Sequence, residues 1–80
     1  MNTRSITRRV IELLTELSDN KEVQIIQNKH IKISGLYGGE RRAFVLPCSP
    51  SSNYKRNVCA ALRSFIRSTR LQVNPTNYSL

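Results

Sequence analysis

The feature that most constrains the fold is a hydrophobic period that changes twice within eighty residues. Ile6, Val10, Leu13, Leu14 and Leu17 recur at spacings of three and four, which stacks them along one side of a helix. After Asp19-Asn20 the pattern gives way to β-branched residues in two-residue alternation, with Val23, Ile25, Ile26, Ile31 and Ile33. Helical spacing returns at Val58, Ala61, Leu62, Phe65 and Thr69. A chain this short has material for one core only, so the helical and extended segments must share it.

Local signals set the expected boundaries. Thr3 and Ser5 are candidate caps for a first helix of about four turns ending at Asp19-Asn20. Two strands near 22–27 and 30–36, linked at Asn28-Lys29, fit the next stretch; one long bent strand fits it as well. Gly38-Gly39 tolerates positive φ and predicts a hairpin into a strand from Arg41 to Leu46, stopped by Pro47. The Pro- and Ser-rich stretch from Pro47 to Asn53 reads as an exposed loop. Asn53 is a plausible N-cap for a last helix from Tyr54 to about Arg70, which Pro75 prevents from continuing.

The expected fold is therefore α+β, in the order helix, three-stranded antiparallel sheet, helix (α-β-β-β-α). Both helices are expected on one face of the sheet, which buries both apolar stripes at once. Residues 1–71 form the single domain, and 72–80 are expected to be a flexible tail. If Ile31 and Ile33 face the helices, His30, Lys32 and Ser34 face the open side. Phe44 and Phe65 are expected in the core.

Charge points to the partner. Thirteen Lys and Arg against five Asp and Glu leave a net charge of +8. Arg56, Arg63, Arg67 and Arg70 lie seven, four and three residues apart, a narrow arc at about 100° per helical residue, opposite the apolar face. From Tyr54 to Leu80 there is no acidic residue, whereas an ordinary solvated face mixes signs. An all-positive face suits a polyanion through counterion release. Arg4 and Arg8 extend the basic surface, partly offset by Glu12 and Glu16. Tyr37 and Tyr54 flank the basic segments and are candidates for stacking on unpaired bases.

No apolar run approaches the ~18 residues that span a bilayer. The N-terminus lacks a secretory pattern, so no membrane association and a cytoplasmic location are expected. Cys48 and Cys59 lack paired spacing, and one histidine does not complete a ligand set with them. Cys59 reads as a small packing residue on the flank of the last helix and Cys48 as a loop or strand-end residue, with no disulfide, metal or other cofactor expected.

Asn28-Lys29-His30, Gly38-Gly39, Leu46-Pro47-Cys48-Ser49-Pro50 and Leu62-Arg63-Ser64-Phe65-Ile66-Arg67 together resemble the HicA family of small toxins, also called YcfA-like. The resemblance runs from Ile6 to Thr69 and implies the fold of a double-stranded RNA-binding domain. It also implies RNA cleavage, with His30 as the catalytic residue, and neutralisation by a HicB-type antitoxin. Asn28-Lys29 stands where the family has Gly-Ser, and Ser49 where its loop has histidine.

The chemistry of His30 fits that role, because a metal-independent ribonuclease needs a base for the ribose 2′-hydroxyl and positive charge for the phosphoryl transition state. The His30 imidazole can be the base, Lys32 can meet the phosphate, and no second histidine is present as general acid. Three readings stand: a ribonuclease similar to HicA-type toxins, a non-catalytic binder of RNA or DNA, and an interaction module docking an acidic protein through its basic helix. The residues expected to contact nucleic acid are Lys29, Lys32, Lys55, Arg56, Arg63, Arg67 and Arg70.

Overall fold

The computed structural model describes residues 3–46 and 53–69. The elements are α1 (Thr3–Leu17), β1 (Val23–Gln27), β2 (Ile31–Tyr37), β3 (Glu40–Val45) and α2 (Tyr54–Ser68). The α-β-β-β-α order and the antiparallel sheet are those expected. The loop expected at 47–52, with Cys48, and the tail with Arg70 lie outside the described residues.

β2 is the central strand, with β1 and β3 at the edges. Ile25 lies opposite Ile33, and Ile33 opposite Phe44, so these three share a face. Along β2, Ile33, Gly35 and Tyr37 alternate onto that face and are buried beneath the helices. α1 contributes Ile6, Val10, Leu13 and Leu14 to the core, and α2 contributes Val58, Leu62 and Ile66. Phe44 is buried, while the half-buried Phe65 ring meets Tyr37 edge-on at 5.3 Å and Phe44 at 5.5 Å.

Tyr37 organises this core. Its hydroxyl donates to the Leu14 carbonyl at 2.7 Å, joining the end of β2 to α1. Burial pushes its phenol up to about 12, because the charged form has no water there. Gly35 makes room for it, since a Cβ there would lie 3.1 Å from the Tyr37 ring and from the Val23 side chain.

Gly38 and Gly39 have φ of 63° and 83°, the positive values that a two-residue hairpin turn requires. The Asp19 carboxylate accepts both their N–H groups, at 3.1 and 2.7 Å, and the Asp19 N–H donates to the Leu36 carbonyl at 2.8 Å. The end of α1 is thereby tied to the β2–β3 turn.

Several local expectations change. Thr3 and Ser5 fall inside α1 rather than before it, because the helix already includes Thr3. Asn53 precedes α2 and its carbonyl accepts from Asn57 at 2.9 Å, but its side chain makes no cap hydrogen bond. Ser34 faces away from the helices yet is buried, because the Arg41 side chain reaches over it to its hydroxyl at 3.5 Å.

Candidate nucleic-acid interface

The basic stripe is where helical spacing puts it. Tyr54, Val58, Leu62 and Ile66 are the buried positions of α2, and Arg56, Arg63 and Arg67 occupy the opposite arc. Arg56, Arg67 and Lys55 are exposed, and Arg63 is half-buried. The ion pairs among the described residues are Arg9 with Glu12 at 3.4 Å and Arg42 with Glu40 at 3.2 Å, so none engages a cation of α2. No acidic residue follows Glu40 anywhere in the chain.

The topology gathers more cations at one end of the domain. α1 ends beside the β2–β3 turn, as the Tyr37–Leu14 and Asp19–Leu36 bonds fix, so its first turns lie at the other end. Arg4, Thr7 and Arg8 there face Gln27 and Ile31 across a groove of about 620 Å³. α2 also ends beside the turn, where Ser68 accepts from Arg42 at 3.5 Å and the Thr69 carbonyl approaches Gly38. Its 15 residues span about 22 Å, which carries Lys55 and Arg56 to the far end as well.

The link between β1 and β2 lies at that same end. Gln27 pairs with Ile31, so residues 28–30 form a three-residue connection closed by the Asn28 N–H donating to the His30 carbonyl at 3.1 Å. His30 therefore sits in the link and not on the strand expected to carry it. It is exposed and lines a depression of about 420 Å³ with Ile26, Asn28, Lys29, Lys32 and Val45. Lys32 lies on the open face, as expected. Neither a carboxylate nor a second histidine lines this depression.

One end thus carries Arg4, Arg8, Lys29, His30, Lys32, Lys55 and Arg56. Asp19 and Glu40 lie at the opposite end, by the β2–β3 turn, and Glu22 is at the same end, just before β1. Glu12, on the rim of the groove, is paired with Arg9. The cation stripe of α2 runs from the basic end toward the turn.

The two tyrosines are not available for stacking. Tyr37 is 1 % exposed and Tyr54 is buried, because one alternates onto the helix side of β2 and the other lies on the buried arc of α2. Arg41 was not expected at the surface that matters, yet it lies on the open face opposite Leu36. The signal was present: a two-residue turn at Gly38-Gly39 pairs Tyr37 with Glu40 and so fixes the face of Arg41. Cys59 is a half-buried free thiol on the flank of α2. Among the described residues no three His, Cys, Asp or Glu side chains are grouped to hold a metal ion, and no helix is long and apolar enough to cross a membrane.

What fold and surface define is a small α+β domain with one strongly basic end. The sequence matches no family model, and comparison with curated proteins and with solved structures gives no match either.

Proposed function

We propose that this protein binds RNA through its basic end and the arginine stripe of α2, chiefly by phosphate contacts. The observation that carries the reading is that every charged side chain of α2 is a cation, none paired to a carboxylate among the described residues, and that this arc runs into the cationic end formed by the β1–β2 link and the start of α1. Aligned cations release condensed counterions when they replace them on a phosphate backbone, which gives affinity without base readout. RNA is preferred to DNA on the resemblance to HicA-type toxins, and a HicB-like acidic antitoxin is the protein partner that this resemblance suggests.

The second reading is that the bound RNA is also cut. It is favoured by His30 and Lys32 lining one depression, a base and a phosphate-binding cation within one site. Against it, none of the side chains lining that depression is a carboxylate or imidazole to orient His30 or to protonate the leaving oxygen.

Two measurements separate the readings. Affinity for a fluorescent single-stranded RNA should fall log-linearly with salt, with a slope that loses about one unit per phosphate-contacting cation removed. A salt-independent affinity would sink the phosphate-driven reading. Cleavage of the same RNA that disappears in His30→Ala, with binding retained, establishes the ribonuclease. Equal and absent cleavage in both proteins leaves the binder.

A further inference from the structure

α1 does not cover the whole inner face of the sheet. Ile25 and Gln27 alternate onto that face of β1, yet Ile25 is 50 % exposed, whereas its partner on β2, Ile33, is fully buried. The space between α1 and the Gln27–Ile31 pair is the groove of about 620 Å³.

Its lining divides by chemistry. Ile11 and Ile31, half-buried against the core, give an apolar floor. Arg4, Arg8 and Glu12 follow one another at four-residue spacing, so they form a row along the helix with about 6 Å of rise between neighbours. Arg4 lies nearest the basic end. Gln27 is exposed on the opposite wall, beside the Asn28–His30 link. Two groups that only donate, followed by one that only accepts, give the groove a polarity along its length.

We propose that this groove takes one unpaired guanine of a bound RNA strand, an inference that rests on the RNA-binding reading. An apolar floor accepts the face of any base, so the choice between bases lies at their edges. Away from its ribose, guanine presents two acceptors, N7 and O6, and then two donors, N1–H and N2–H. Arg8 matches the acceptors, Glu12 accepts from both donors, and Arg4 stands toward the basic end to meet the phosphate. Adenine and cytosine have one amino group and uracil one N–H, so none of them offers a carboxylate two adjacent donors.

Glu12 is the residue that a surface holding only a phosphate backbone does not need, because its carboxylate repels phosphate. Its contact with Arg9 is an exposed pair at 3.4 Å, which contributes little in water and yields readily to a ligand. An acidic peptide, the other occupant that two arginines admit, would meet Glu12 with like charge. Guanine uses both signs of the groove.

The test is fluorescence anisotropy of the full chain with a labelled uridine dodecamer and with dodecamers carrying guanosine, adenosine, cytidine or inosine at one central position. Guanosine should tighten binding about tenfold over uridine, adenosine and cytidine should not, and inosine, which lacks the N2 amino group, should tighten it less. Glu12→Gln should remove the guanosine gain without lowering affinity for the uridine dodecamer. Arg8→Gln should remove it too, with the circular dichroism spectrum unchanged in both variants. Free guanosine 5′-monophosphate should bind far more weakly than the guanosine dodecamer, since the remaining phosphates of the strand reach the basic end. Failure to bind any dodecamer would overturn the RNA-binding reading and this inference with it. Binding of the uridine dodecamer with no gain from guanosine, a gain that survives Glu12→Gln, inosine equal to guanosine, or free nucleotide binding as tightly as the strand would overturn the guanine site alone.

Discussion

α1 and α2 are both 15-residue amphipathic helices packed by one face on the same sheet, and they differ in what they show to water. Around its exposed side α1 mixes signs, with Arg4, Arg8, Arg9, Glu12 and Glu16, and pairs Arg9 with Glu12. α2 exposes Lys55, Arg56 and Arg67 among Asn57, Ala60, Ser64 and Ser68, with no carboxylate within the helix. Beyond its first turns, which carry Arg4 and Arg8 to the basic end, and away from the groove, α1 is what a merely solvated helix looks like in this protein. The one-signed surface of α2 is a departure from it, and stability does not require it, since exposed ion pairs contribute only ~0–1 kcal/mol in any case.

If the helices differ only on the outside, their inner faces should respond alike. Leu14→Ala in α1 and Leu62→Ala in α2 remove side chains that are fully buried, and each should cost about 2–5 kcal/mol in denaturant unfolding. A much smaller loss for Leu62→Ala would mean that α2 is held less firmly than its burial implies.

The outer faces should respond unequally. Arg63→Glu with Arg67→Glu should lower RNA affinity on the order of hundredfold and leave the unfolding midpoint nearly unchanged. Glu12→Lys with Glu16→Lys on α1, which removes the mixed signs, should raise affinity by less than that factor. Equal and small effects in the two helices would erase the contrast.

A smaller effect concerns the bond that joins α1 to the sheet. The Tyr37 phenol rises from 10.0 to about 12 on folding, so the folded state holds this proton more tightly than the unfolded chain does. Burial penalises the phenolate, so stability is unaffected by this group below pH 10 and falls by on the order of 2–3 kcal/mol as pH rises through 12. Tyr37→Phe should remove that alkaline dependence and cost about 1 kcal/mol at neutral pH, as thermal melts across this range would record.

Much of this was legible in the sequence because it depends on period. The stripe from Arg56 to Arg67, the buried arc of Val58 and Leu62, and the turn at Gly38-Gly39 each follow from local spacing or backbone permissiveness. What was illegible depends on register. Whether His30 belongs to a strand or a link is decided by Gln27 pairing with Ile31, a contact that local composition does not specify. Tyr37 looked like a surface aromatic because it adjoins a turn, whereas alternation from Ile33 sends it inward, where Gly35 leaves space for its ring. The gathering of Arg4 and Arg8 with the Lys29-His30 link depends on the direction in which α1 crosses the sheet, which only tertiary hydrogen bonds establish.

The carboxylate of Asp19 grips both glycine amides of the hairpin from the end of a helix nearly twenty positions earlier in the chain. Such a latch makes two segments surrender their amide protons together: α1 cannot unwind from its C-terminal end without releasing the turn. Hydrogen exchange at Gly38 and Gly39 should therefore keep pace with that of the last turn of α1, while the amides of β1, on the unlatched margin, trade with solvent sooner.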